Sequence, residues 1–100
     1  MTPHDLYNSM GLTAKNARFR GWWIVAKRHA VRQVLYELGY GVKAIATLEK
    51  EFFGVDTHHT TVMNSLAQNH YGVLRELAEA RRLAGLSVPK DYDTVAVAPI

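Results

Sequence analysis

Apolar side chains recur along this chain at three- and four-residue steps, the spacing of one face of a helix. Val42, Ile45, Leu48 and Phe52 form one such stripe, with Lys43, Glu49 and Lys50 left for solvent. Trp23, Ala26, Ala30, Val34 and Leu38 form another, within a long segment predicted from about Phe19 to Leu38. Gly21 weakens that helix locally, by roughly 1 kcal/mol relative to alanine. Val73, Leu74, Leu77, Ala80, Arg81 and Leu83 predict a last helix from about Tyr71 to Ala84, closed by Gly85. Near the start, Thr2 is a good N-cap with Pro3 at the first helical position, giving a short helix to about Met10 that Gly11 ends. Thr13 is a candidate start for a further helix, and Gly39-Tyr40-Gly41 separates the long helix from the stripe that begins at Val42. The reading is all-α: a compact helical bundle of about five or six helices in a single domain over residues 1–87. Residues 88–100 carry Pro89, Asp91 and Asp93 and then an apolar run without helical period, as in a tail, the start of a linker or a truncated end.

The stretch Asp56-Thr57-His58-His59-Thr60-Thr61-Val62 stands out within this pattern. Asp56 and Thr57 are both favoured N-caps, and Val62 and Leu66 come after them at a helical interval, so a helix is predicted to begin here with His58 to Thr61 in its first turn. The preceding helix ends at Gly54, which tolerates the positive φ that turns a chain out of a helix. Helix, short turn and helix make a helix-turn-helix, in which the second helix reads base edges from its N-terminal residues. Unpaired N–H groups and the peptide dipole at such an end favour phosphate. Two packed helices joined by a glycine turn give the same spacing without binding anything, but a structural turn has no need of four consecutive outward-reaching polar side chains. Nothing at Gln68-Asn69-His70 forces a break before the last helix, so the two are read as potentially continuous.

His59-Thr60-Thr61-Val62, preceded by an apolar helix ending in Phe52-Phe53-Gly54, resembles the DNA-binding C-terminal domain (domain IV) of the bacterial replication initiator DnaA, a Trp-repressor-like helix-turn-helix with the signature Asp-His-Thr-Thr-Val. The likeness covers roughly residues 24–83. It implies that His59, Thr60 and Thr61 meet bases and phosphates in the major groove, with His58 or Asp56 nearest the family's aspartate. It also implies an arginine on an upstream helix entering the minor groove, a role for which Arg28 and Arg32 both qualify. The lead-in Val55-Asp56-Thr57-His58 is longer than the family's and lacks its arginine, so a target other than the initiator's box is expected.

Charge points the same way without the family. The net charge is only +3, yet no acidic residue lies between Asp5 and Glu37, while Lys15, Arg18, Arg20, Lys27, Arg28 and Arg32 all do, half of the 12 lysines and arginines. Such a local field attracts a phosphate backbone and makes affinity fall with salt. The plainer reading of a basic run is a solvated helix face. Thr57, His58, His59, Thr60, Thr61 and Asn64 are therefore expected toward bases and phosphates, with Lys43, Lys27, Arg28, Arg32, Arg18, Arg20 and Lys15 toward backbone or minor groove.

The expected partner is double-stranded DNA, with transcription machinery as a further one. A transcription regulator or its DNA-binding part fits best, phage-like regulators and activators of gene-transfer agents being candidates by resemblance. The alternative is a helical interaction adaptor of the replication or transcription machinery. No Walker loop accompanies the resemblance. No membrane partner, small-molecule substrate or cofactor is expected, and a cytoplasmic, nucleoid-associated protein is, since no apolar run spans a bilayer and no signal-peptide pattern opens the chain. With no cysteine, disulfides and cysteine-based zinc sites are excluded. The five histidines make no metal-ligand spacing, and Asp56 with His58 lacks the nucleophile or second carboxylate an enzyme would need. Adjacent Trp22 and Trp23 point about 100° apart on a helix. Both are expected to anchor it against the last helix rather than to stack on bases.

Overall fold

The computed structural model describes residues 1–88 and contains five α-helices: α1 (Pro3–Ser9), α2 (Trp22–Glu37), α3 (Val42–Phe53), α4 (His59–Leu66) and α5 (Tyr71–Leu83). The all-α bundle expected from periodicity is thus the observed fold, with no strand among the described residues. Of the tail expected over residues 88–100, residues 89–100 lie outside them.

Helix ends obey their local chemistry. Thr2 caps α1 in a reciprocal capping box with Asp5, and Gly11 turns the chain out at φ +79°. The helix expected near Thr13 is a turn, because Asn16 holds the Thr13 N–H through Oδ1 and the Gly11 carbonyl through Nδ2. That turn and the non-helical Phe19 and Arg20 delay α2 to Trp22. Gly54, at φ +70°, ends α3 where expected. α4 and α5 are separate helices. Gln33 on α2 donates its amide to the carbonyls of Ser65 and Gln68 and so holds the chain where α4 gives way to the turn before α5.

α2 is the hub. It packs on α5 most extensively and also on α4, α1 and α3, so Ile24, Ala26, Ala30, Val31, Val34 and Leu35 are buried over a broad face, about half of its circumference. The expected stripe holds in its middle, at Ala26, Ala30 and Val34, and overshoots at its ends, where Trp23 and Leu38 are exposed. Trp22 is 70% exposed and Trp23 52%, so neither enters the core. Of the two expected to anchor α2 against the last helix, the Trp22 ring does lie over Gly72 of α5, whereas the Trp23 indole folds back over Gly21.

On α3, Ile45 is fully buried and Val42, Leu48 and Phe52 are half-buried, as their spacing implies. Glu49 departs from expectation. It is only 2% exposed and sits in the interior rather than in solvent.

Candidate nucleic-acid interface

α4 is short, and its orientation depends on what lies behind it. Val62 is fully buried and anchors its inner face, a burial worth roughly 1.5–3 kcal/mol. Ser65, one turn on, is also fully buried, which leaves Thr60, Thr61, Met63 and Asn64 facing out.

Behind Val62 and Ser65 a polar cluster ties α1, α2, α3 and α4 together. The Arg32 guanidinium forms a two-pronged ion pair with Glu49, Nε to Oε2 and Nη2 to Oε1, each 2.7 Å. Its third arm, Nη1, donates to Ser65 Oγ at 2.8 Å. The Tyr7 hydroxyl donates to Glu49 Oε2 at 2.6 Å, and the Thr57 hydroxyl to Oε1 at 3.1 Å. Burial pushes the Glu49 carboxyl up, but the hydrogen bonds and charge of Arg32, with Tyr7 and Thr57, outweigh it and hold the group below its ordinary 4.5. The same burial, and the negative charge of Glu49, raise the Tyr7 phenol. A buried pair of this kind contributes less to net stability than to fixing which surfaces meet.

His29 completes the cluster, its Nδ1 2.8 Å from Ser65 Oγ. Ser65 Oγ lies 3.2 Å from the Thr61 carbonyl, which only accepts, while Arg32 only donates. The Ser65 proton is therefore assigned to Thr61, and His29 Nδ1–H to the remaining lone pair of Ser65. Burial first, then the charges of Arg32, His70 and Arg28, push His29 down to about 4. A serine that is fully buried and accepts a proton bond from histidine has neither the access nor the polarity of a nucleophile.

The outward end of α4 is built differently. His58, not Asp56 or Thr57, is the N-cap: its Nδ1 accepts from the Thr60 N–H at 3.2 Å. Thr57 does not cap because its hydroxyl is directed to Glu49, and exposed Asp56 lies 3.8 Å from Lys50. Because Nδ1 accepts, the proton of neutral His58 is on Nε2, the nitrogen that does not cap. His59 lies against it, ring centroids 4.3 Å apart.

Beside this end, Ala17 and Arg18 of the segment between α1 and α2 pass close by. Arg18 and Arg28 share with Thr57, His58 and Thr61 a cleft of about 320 Å³. Arg28 is half-buried and its guanidinium donates to the Phe19 carbonyl, clamping the basic segment to α2. Burial, and then the nearby Arg32 charge, lower its proton affinity.

The structure thus divides the expected interface. His58, Thr60, Thr61, Asn64, Lys15, Arg18, Arg20 and Lys43 are exposed, and His59 and Arg28 half-buried. Three of the expected contacts have partners within the protein. Arg32, 5% exposed, is held by Glu49 and Ser65 and has no arm free for a groove, which leaves Arg28 of the two upstream candidates. Thr57 faces Glu49, and Lys27 pairs with Glu76 on α5 at 3.1 Å. Sequence reasoning missed Glu49, Ser65 and Tyr7 as the residues that set α4. The spacing of Glu49 carried a signal, because it falls four residues after Ile45 and three before Phe52, on the apolar stripe itself.

Among the described residues no three His, Cys, Asp or Glu side chains converge as a metal site requires, and no helix is long and apolar enough to cross a membrane. Compared with known proteins, the chain matches no family model, no curated protein and no solved structure.

Proposed function

We propose that the protein binds double-stranded DNA in a sequence-specific way through α3 and α4, as a transcription regulator or the DNA-binding part of one, acting at the nucleoid. The observation that carries this reading is the exposed polar first turn of α4, capped by His58, backed by a rigid buried cluster and flanked by a cationic segment free of acidic residues. A recognition helix needs all three: side chains free to meet base edges, a fixed angle of presentation, and positive charge to hold phosphates. The likeness of His59-Thr60-Thr61-Val62 to the signature of the initiator's DNA-binding domain supports the same assignment, with Val62 as the inward anchor and the residues before it outward.

In this reading Thr60, Thr61, Asn64 and the histidines at 58 and 59 meet bases and phosphates, while Arg18, Arg20, Lys15, Lys43 and Arg28 hold the backbone. Selection of bound sequences from random duplexes, with anisotropy titration of the winners across a salt series, tests it. An enriched sequence is expected, with log affinity falling linearly in log salt. Replacing His59 with alanine should flatten the preference at one or two positions, by about 1–3 kcal/mol of discrimination. Arg18→Ala should weaken selected and random duplexes alike and reduce the salt slope by about one. Absence of both enrichment and salt-sensitive binding would favour the adaptor reading instead.

A further inference from the structure

The segment between α1 and α2 carries Arg18-Phe19-Arg20 and leads into Gly21-Trp22-Trp23. Both arginines are exposed, and Phe19 is 57% exposed although it is among the largest apolar side chains in the molecule. Its backbone is held on both sides, the N–H by the Asn16 carbonyl at 3.0 Å and the carbonyl by the Arg28 guanidinium. The two tryptophans next in the chain are laid over Gly21 and Gly72, which fixes the base from which this segment projects. A single exposed apolar ring is ordinary at a protein surface, but Phe19 stands on a pinned backbone between two exposed cations and just ahead of the exposed Trp22 and Trp23, a run of aromatic and cationic side chains of the kind that marks a binding surface.

Charge identifies the partner. From residue 6 to residue 36 the chain has no acidic side chain, so the patch complements a polyanion. Arg18 also lines the cleft that contains His58 and Thr61, which places the segment beside the head of α4. A duplex whose major groove receives α4 presents its backbone and an adjacent minor groove to a flanking segment of this kind. Narrow minor grooves draw in arginine through their negative potential, and apolar side chains carried there enter between base pairs and part them.

We infer that residues 18–20 are a minor-groove arm in which Phe19 is the wedge, inserting at one base step of the duplex that α4 contacts. The inference rests on the DNA-binding reading above and adds to it a deformation of the DNA and the residue that causes it. Arg18 and Arg20 steer the arm, and Phe19 makes binding depend on how easily one step unstacks. Sequence preference then extends to a position that no polar side chain of α4 touches.

The test uses the full chain and a short duplex bearing the selected sequence, with 2-aminopurine replacing each adenine in turn. Anisotropy reports complex formation and 2-aminopurine emission reports unstacking in the same sample. The wild-type protein should raise emission at one step. Phe19→Ala should abolish that rise and bind roughly ten-fold more weakly, the equivalent of one lost stacking contact. Phe19→Leu, still an apolar wedge, should keep it. A wild-type complex that forms with no rise at any position overturns the wedge and leaves the DNA-binding reading standing, as does a rise that persists in Phe19→Ala. Sedimentation of the free proteins separates a further partner: a dimer that Phe19→Ala converts to monomer, with no rise in emission on wild-type binding, assigns the patch to a second copy and overturns the inference. If no duplex gives an anisotropy change, the DNA-binding reading falls first.

Discussion

Two polar regions lie within one helical turn of each other at α4 and are put to opposite uses. Behind the helix, Arg32, Glu49, Tyr7, Ser65 and Thr57 are joined by hydrogen bonds, all but Thr57 buried. At its head, His58, Thr60, Thr61 and Asn64 are exposed, and the cap uses only His58 Nδ1 and the Thr60 N–H. The first region converts polar chemistry into fixed geometry, because a charge with its full set of partners tolerates only one arrangement of the helices that supply them. The second leaves its side chains open to a ligand. Removing a partner should therefore unfold the protein in the first region and alter recognition in the second.

The largest effect is expected from Glu49→Ala. It strands the Arg32 guanidinium in the interior with only Ser65 to hold it, which should cost about 3–5 kcal/mol in urea unfolding. The double replacement Arg32→Leu with Glu49→Leu should recover much of that loss, since it removes the charge as well as its partner. A single variant with wild-type stability would show that the pair is solvated and would dissolve the contrast between the two regions.

Acid should discriminate the regions next. His29 is pushed down to about 4 from 6.5, so the unfolded chain takes up its proton first. Its contribution is complete above pH 6.5 and is lost as pH falls toward 4. Glu49, held below 4.5, adds its own loss only at still lower pH. Discounted for the half-exposure of His29, a decline of about 1 kcal/mol between pH 7 and pH 4.5 is expected in urea midpoints. His29→Gln should flatten that slope. Equal slopes in both proteins would remove His29 from the cluster.

Much of this arrangement is legible in the sequence, and the remainder is not, for a physical reason. Gly54 and the stripe through Val42, Ile45 and Phe52 declare α3 and its end because they act through nearest neighbours and local φ. His59 to Thr61 declare the head of α4 because a run of small polar residues has no use inside a turn. The stripe places Glu49 on the inward face of α3, but its partners, Arg32 17 residues away and Tyr7 42 away, are set only by the fold, so its role in the cluster has no local signal. The cap sits at His58 rather than Thr57 for the same reason: the Thr57 hydroxyl has a better acceptor in a residue that only the fold brings near. Size alone argues for Trp22 and Trp23 in the core, whereas α2 is already enclosed elsewhere by α1, α3, α4 and α5.

His58→Ala should fall between the two regions. It deletes the N-cap acceptor, at about 1 kcal/mol of stability, and also a side chain at the proposed interface. His58→Asn, which restores a cap without an imidazole, should recover the unfolding midpoint but not the affinity for a selected duplex. Recovery of both would reduce His58 to a structural cap.

The finest separation comes from two threonines three residues apart. Thr57→Val removes a hydroxyl that donates to Glu49 and replaces it with a methyl of the same shape, leaving one carboxylate oxygen with one donor fewer. The expected loss is about 1 kcal/mol in urea unfolding, without change in the selected DNA sequence. Thr60→Val makes the same chemical change on an exposed side chain and should leave the midpoint within about 0.5 kcal/mol. Its effect belongs in a repeated selection, as a changed base at one position of the enriched site. If Thr60→Val lowers the midpoint as Thr57→Val does, or Thr57→Val shifts the selected sequence as Thr60→Val does, the boundary between the scaffold and the proposed DNA-contacting end of α4 does not lie at His58.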